Sequence, residues 1–263
     1  MRLAIMGVGS LGTIIGALIT KGGINIDLID ANKTHVDALN RDGAIITGFL
    51  ELNVPVKALT PDQMTGEYDL VILLTKQTYN SVALKQLLPH LHKDSLVCTL
   101  QNGIPEEYVA SYVGKERTIG GAVGFGATWV KPGVSMLTTT MEVVKKHAFE
   151  IGEINGTLTP RLAEVKKILD LVGECIISPN LMGIRWAKLL MNSTFSGMSA
   201  ALGCTFGDVL DNEKAMKCVA HIADETIKVA HAQGIRLERM QGVDMEFFKL
   251  KAESDIPDKM DLY

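Results

Sequence analysis

Three polar residues, Lys188, Asn192 and Ser196, recur every four positions within an otherwise apolar run, Trp186 to Ser196. A helix places them on nearly one face. An ammonium, an amide and a hydroxyl in such a line can bind a polar small molecule. The ammonium can also protonate an oxygen that gains negative charge during reaction. The same spacing fits a helix with one solvated seam, and spacing alone leaves both readings open. A second group stands near the start of the chain, Gly7-Val8-Gly9-Ser10-Leu11-Gly12, in the pattern G-x-G-x-x-G. Gly7 permits a tight turn, Gly9 lets the backbone approach a diphosphate, and Gly12 lets a helix pack on the preceding strand. The N–H groups and partial positive charge of that helix start suit an anion.

Asp30 ends the second strand, Ile24 to Ile29, 18 residues beyond Gly12. An acid there accepts hydrogen bonds from the ribose hydroxyls of NAD and repels the extra phosphate of NADP. Lys33, three residues on, can offset that repulsion, so the preference stays open. Lys76 follows the continuous apolar run Tyr68 to Thr75, which reads as a strand buried on both faces. Ligands of open α/β sheets sit beyond the carboxyl ends of the strands, so Lys76 is expected at the dinucleotide. Asn102 ends the next strand, Leu96 to Leu100, in Gln101-Asn102-Gly103. Asn-Gly serves either as a plain turn or to hold a nicotinamide or catalytic group.

The scaffold these groups require is an α/β Rossmann-type dinucleotide-binding domain over residues 1–179, followed by an all-α helical domain over 180–263. Residues 33–42 read as a crossover helix and Ala44 to Leu59 as a short hairpin. The Gly-, Thr- and β-branched-rich stretch 117–155 is expected to continue the sheet. A helix with Leu162, Val165, Ile168, Leu169 and Val172 on one face and a strand near Cys175 to Ser178 close the domain. Beyond Pro179 and Gly183 the apolar period changes from two to 3.6. Ile184 to Ala201 reads as one helix, Asn212 to Gln233 as another ended by Gly234, and 237–255 holds room for one more.

The bulk numbers narrow the function. The chain has 263 residues, 47% hydrophobic and 21% charged, with a net charge of −4. That balance gives no basic footprint for nucleic acid. Cys98, Cys175, Cys204 and Cys218 are widely spaced and read as reduced thiols acting as small core hydrophobes, with no metal site expected. No apolar run is long enough for a membrane span, and the N-terminus is already a strand rather than a signal peptide. A cytoplasmic protein is therefore expected. The apolar helix faces in 184–233 make a homodimer plausible.

The glycine loop, Leu74-Thr75-Lys76, Gln101-Asn102-Gly103 and Trp186-x-Lys188-x-x-x-Asn192 follow in an order that closely resembles the ketopantoate reductase (2-dehydropantoate 2-reductase) family. The resemblance implies a Rossmann domain, a helical domain, and reduction of ketopantoate to pantoate with NADPH in pantothenate biosynthesis. It implies Lys188 as the general acid, with Asn102 holding Lys188 and the nicotinamide end. Lys76 would contact the cofactor, and Asn192 and Ser196 the substrate hydroxyl or carboxylate.

Three positions depart from the family pattern. Asp30 stands where many members carry an arginine for the NADP phosphate, which keeps NADH in play. Ser196 stands where better-known members carry asparagine. The final helix with its Ser-Met pair and Thr-Glu-Ile-Asp motif has no match; Glu253 lies outside such a motif. The chain therefore reads as truncated at its C-terminus, with part of the family domain missing. Two other readings are a dehydrogenase of another 2-oxo or 3-hydroxy acid and a non-catalytic dinucleotide-binding protein.

Overall fold

The computed structural model describes residues 1–240 and 242–256. Two compact units divide the chain, Met1–Leu181 and Met182–Tyr263. The first unit opens with β1 (Leu3–Met6), α1 (Ser10–Lys21), β2 (Ile26–Ile29) and α2 (Lys33–Asp42). A hairpin of β3 (Ala44–Gly48) and β4 (Leu52–Val54) leads to a short β5 (Lys57–Leu59). The alternation resumes with β6 (Tyr68–Leu73), α3 (Asn80–Leu87), β7 (Leu91–Thr99) and α4 (Glu106–Val113). Then come β8 (Thr118–Val123), β9 (Ala127–Lys131), β10 (Val134–Leu137), α5 (Met141–His147), β11 (Phe149–Glu153), α6 (Pro160–Leu169) and β12 (Cys175–Ile177).

Eight strands form one sheet in the order β12-β11-β8-β7-β6-β1-β2-β5. From β5 to β8 all neighbours run parallel, and β11 turns antiparallel to β8. Residues of β1 alternate between two cores. Leu3 and Ile5 pack with Ile14, Ile15 and Leu18 of α1, whereas Ala4 and Met6 pack with Leu84 and Leu87 of α3. Both faces are thus covered by helices, which is why β1 and β6 read as unbroken apolar runs. The chain reverses its direction of travel across the sheet between β1 and β6, the place where doubly wound sheets bind ligands.

The stretch 117–155 does not stay in one sheet. β8 and β11 extend the main sheet, but β9 and β10 leave it for a separate four-stranded sheet, β4-β3-β10-β9. There β10 pairs in parallel with β3, Val134 opposite Ile45.

The second unit holds α7 (Leu181–Met191), a π-helical turn (Asn192–Ser196), α8 (Gly197–Leu202), α9 (Phe206–Leu210) and α10 (Glu213–Ala232). Asn212 caps α10 by accepting from the Ala215 N–H, and Gly234 follows its end at φ +73°, as a left-handed terminator should. The single helix expected from Ile184 to Ala201 is instead an α-π-α sequence. The helix expected within 237–255 is replaced by 3-10 turns at Met245–Phe248 and Glu253–Asp255. Side-chain carboxylates take the backbone donors that a helix would use: Asp244 accepts from the Glu246 N–H, Glu246 from Leu237, and Asp224 from Leu250. Such local acceptors compete with helix formation. The stretch Asp258 to Tyr263, on which the expectation of a missing closing helix rests, lies outside the described residues. Among the described residues no helix is long and apolar enough to cross a membrane. Cys98 and Cys175 are buried, as small core hydrophobes, whereas Cys204 is half-buried and Cys218 exposed.

Candidate functional site

The glycine loop joins β1 to α1 and borders a cavity of about 540 Å³. Its wall also takes in Asp30 and Asn32 beyond β2, Pro61, Lys76 beyond β6, and Tyr79 and Val82 near the start of α3. Gly7 has φ +96°, and a Cβ there would lie 2.4 Å from the Thr75 backbone nitrogen. No side chain fits, because both the conformation and the space exclude one. Gly9 is different: a Cβ would meet no protein atom within 4 Å. The room beside Gly9 is open towards the cavity wall it helps form, which fits a diphosphate drawn against the loop. A Cβ at Gly12 would meet the Gly7 carbonyl at 2.6 Å, so Gly12 relieves the loop itself. Close packing of helix on strand falls instead at Gly16, where a Cβ would lie 2.4 Å from Leu28.

Hydrogen bonds orient the loop. Thr13 Oγ1 lies 2.8 Å from the Gly9 carbonyl and 3.2 Å from that of Val8. His35 Nε2 lies 2.7 Å from the Val8 carbonyl. At the far wall, Asp30 Oδ1 accepts the Asn32 N–H at 2.9 Å, which turns the chain into α2. Lys33 is occupied elsewhere, with Nζ 2.8 Å from each carboxylate oxygen of Asp37. Lys76 is exposed at the mouth of the cavity.

A buried polar knot lies beneath Lys76 and Asn102. Gln101 Nε2 donates to the Thr75 carbonyl and to Asn80 Oδ1, both at 2.6 Å. Its Oε1 accepts from Thr99 Oγ1 at 3.1 Å and from Asn80 Nδ2 at 3.3 Å. The knot ties the ends of β6 and β7 to the start of α3. Asn102 itself is exposed, and its carbonyl accepts from the Gln77 side chain. Sequence reading passed over Gln101, Asn80, Thr13 and His35. Only their position beside glycine-marked turns could have singled out Gln101 and Thr13; nothing in the pattern marks His35.

In the second unit, Lys188 is half-buried on α7, and burial pushes its ammonium pKa below the ordinary lysine value. A half-exposed residue with protein on most sides loses hydration although part of its surface stays open. Asn192 is half-buried and Ser196 exposed. Along an α-helix a four-residue step overshoots one turn by about 40°. The wider π turn, with the Gly197 N–H bonded to the Asn192 carbonyl, falls short of a turn over four residues. It brings Ser196 back towards the angular position of Lys188, so the three residues span a narrower arc of the helix than an unbroken α-helix would give.

Comparison with known proteins settles the class. The family model described as "Ketopantoate reductase PanE/ApbA" matches residues 3–155, and its C-terminal counterpart matches residues 180–260. The chain belongs to the ketopantoate reductase family. Membership makes it an oxidoreductase of a nicotinamide-dependent kind. A 2-dehydropantoate 2-reductase of Pyrococcus abyssi is 30% identical over 247 residues, 90% of this chain and 76% of that protein. One from Pyrococcus horikoshii is 28% identical over 239 residues, with the same coverage of each. Among solved structures, 2-dehydropantoate 2-reductase from Geobacter metallireducens superposes with a TM-score of 0.82 at 26% identity, covering 100% of this chain and 82% of that one. D-mandelate dehydrogenase, solved with NADH and anilino(oxo)acetate, shares the fold at a TM-score of 0.83 and 23% identity, covering 100% of this chain and 78% of that one.

Proposed function

We propose that the protein reduces a 2-oxo acid, foremost 2-dehydropantoate to pantoate, with NADH preferred over NADPH. The observation that carries the cofactor reading is the open face of Gly9 in a cavity whose far wall bears Asp30. A dinucleotide fits there with its diphosphate at the loop and its adenosine ribose at Asp30. Asp30 accepts ribose hydroxyls, and its charge opposes a 2′-phosphate at the same place. The cation nearest in sequence, Lys33, lies against Asp37 one turn along α2.

A nicotinamide held at this cavity would supply the hydride. Lys188 then protonates the oxygen of the former ketone. Its lowered pKa brings it closer to the range where proton transfer is efficient, while the charge of its protonated form stabilises the developing alkoxide. Asn192 and Ser196 bind the substrate carboxylate or hydroxyl, Lys76 contacts the cofactor, and Asn102 orients the nicotinamide end. Residues 1–179 bind the cofactor, and 180–263 supply the substrate groups. A second reading, a dehydrogenase of another 2-oxo or 3-hydroxy acid, draws on Ser196, a short hydroxyl in place of a longer amide.

The test is to follow NADH and NADPH oxidation separately with ketopantoate and a panel of other 2-oxo acids. Faster turnover with NADH and ketopantoate supports the reading. Turnover confined to another 2-oxo acid replaces the substrate, and faster turnover with NADPH overturns the role given to Asp30.

A further inference from the structure

We propose that His35 and Thr13 form a clamp that aims the diphosphate-binding amides of the glycine loop, and that the clamp holds only while the His35 imidazole is neutral. The proposal rests on the reading of the cavity as the dinucleotide site. A trans peptide is planar, and its C=O and N–H point in opposite directions. His35 Nε2 holds the Val8 carbonyl at 2.7 Å, so the Gly9 N–H points the other way. The Thr13 hydroxyl and backbone N–H hold the Gly9 carbonyl at 2.8 and 3.0 Å, so the Ser10 N–H is turned outwards likewise. Neither side chain needs to touch the cofactor. Each fixes an amide that does.

The tautomer of His35 follows from its partners. Its Nδ1 accepts the Gly133 N–H at 2.9 Å, from the turn between β9 and β10. Nδ1 must therefore carry a lone pair, and the proton resides on Nε2, facing the Val8 carbonyl. A second proton would set an N–H donor against the Gly133 N–H, breaking the link to the hairpin and freeing the ring. The groups around the ring are Thr13 from α1, Trp129 from β9 with ring centroids 4.5 Å apart, and the Gly133 amide. The charged group acting on it is Asp30, which favours protonation, whereas burial opposes it more strongly. On its own helix, Lys33 and Asp37 pair with each other. The ring is fully buried, so the neutral form prevails and the imidazole pKa lies below its ordinary value.

The sign follows. Cofactor affinity is full near neutrality and falls as pH drops through the lowered pKa of His35. The test is a fluorescence titration with NADH from about pH 8 to about pH 5.5, on the full chain, its His35→Gln variant and its Thr13→Val variant. Glutamine keeps a donor for the Val8 carbonyl without titrating. The wild type should lose affinity progressively towards the acid end, reaching about tenfold only about one pH unit below the lowered pKa of His35, whereas His35→Gln should show no such acid limb. Thr13→Val should weaken binding at every pH. Nitrogen-15 NMR of histidine-labelled protein should show the Nε2–H tautomer persisting below the usual titration range. Identical acid limbs in wild type and His35→Gln, or an ordinary titration of His35 without change in affinity, would overturn the clamp alone. Failure of the wild type to bind NADH or NADPH at any pH would overturn the cofactor reading and the clamp with it.

Discussion

Lys33 and Asp37 form a bidentate contact one turn apart on α2, with Nζ 2.8 Å from each carboxylate oxygen. Both side chains are exposed, so the pair is weak in itself. Its consequence is directional: the cation nearest Asp30 in sequence is turned along the helix towards Asp37. Asp30 is left to set the charge at the end of β2.

That relationship predicts a graded change in cofactor preference. Asp30→Ser should lower kcat/KM for NADH about tenfold or more, the worth of a charged hydrogen bond to a ribose hydroxyl. It should raise kcat/KM for NADPH by removing a like charge. Adding Asp37→Ala, which releases Lys33, should raise NADPH use further. Steady-state kinetics with both cofactors checks this; an unchanged ratio in the double variant would remove Asp30 and Lys33 from the determinants.

Gly7 and Gly9 should respond to alanine in opposite ways. At Gly7 the added methyl collides with the Thr75 backbone, so Gly7→Ala should cost several kcal/mol, about 2–5, in unfolding free energy. At Gly9 the methyl enters open space. Gly9→Ala should fold with near wild-type stability and lose most dinucleotide affinity. Urea denaturation together with NADH titration separates the two effects.

Lys188→Ala should reduce kcat by about 10²–10⁴-fold, the usual contribution of a positioned general acid, while NADH affinity stays unchanged. In the wild type the acid must be protonated, so the rate of ketone reduction should fall as pH rises through the pKa of Lys188. Because burial lowers that pKa, the fall should come at lower pH than the value of about 10.4 for a free lysine. A pH–rate profile that stays flat to that value would count against Lys188 as the proton donor.

Gln101→Leu should destabilise the first unit by about 2–4 kcal/mol, since Thr75, Asn80 and Thr99 all lose a buried partner. Because Gln101 precedes Asn102, kcat should also fall where folding is intact. Thermal denaturation combined with kinetics well below the midpoint distinguishes the two outcomes.

Much of the first unit was legible because its signals are local. The glycine loop, the carboxylate ending β2 and the apolar run of β6 each lie within a few residues and carry their own chemistry. The destination of β9 and β10 was not legible. Alternation of apolar residues marks a strand but not its partner, and the pairing of Val134 with Ile45 is set by tertiary packing. The π turn at Asn192–Ser196 has no compositional mark, because it differs from an α-helix only in which carbonyl each amide chooses. His35 was invisible for a related reason. A single histidine on a crossover helix acquires meaning only when Val8 and Gly133 are brought to its two nitrogens.

The pairing of His35 with Gly133 spans 98 residues, which bears on how the protein is born. The glycine loop leaves the ribosome well before the hairpin amide that completes its support. At about 5–20 residues per second, the interval is roughly five to twenty seconds. Until then the nascent N-terminal half carries the sequence of a dinucleotide site without its finished geometry. On the proposed clamp, full coenzyme affinity is expected only once the turn between β9 and β10 is in place.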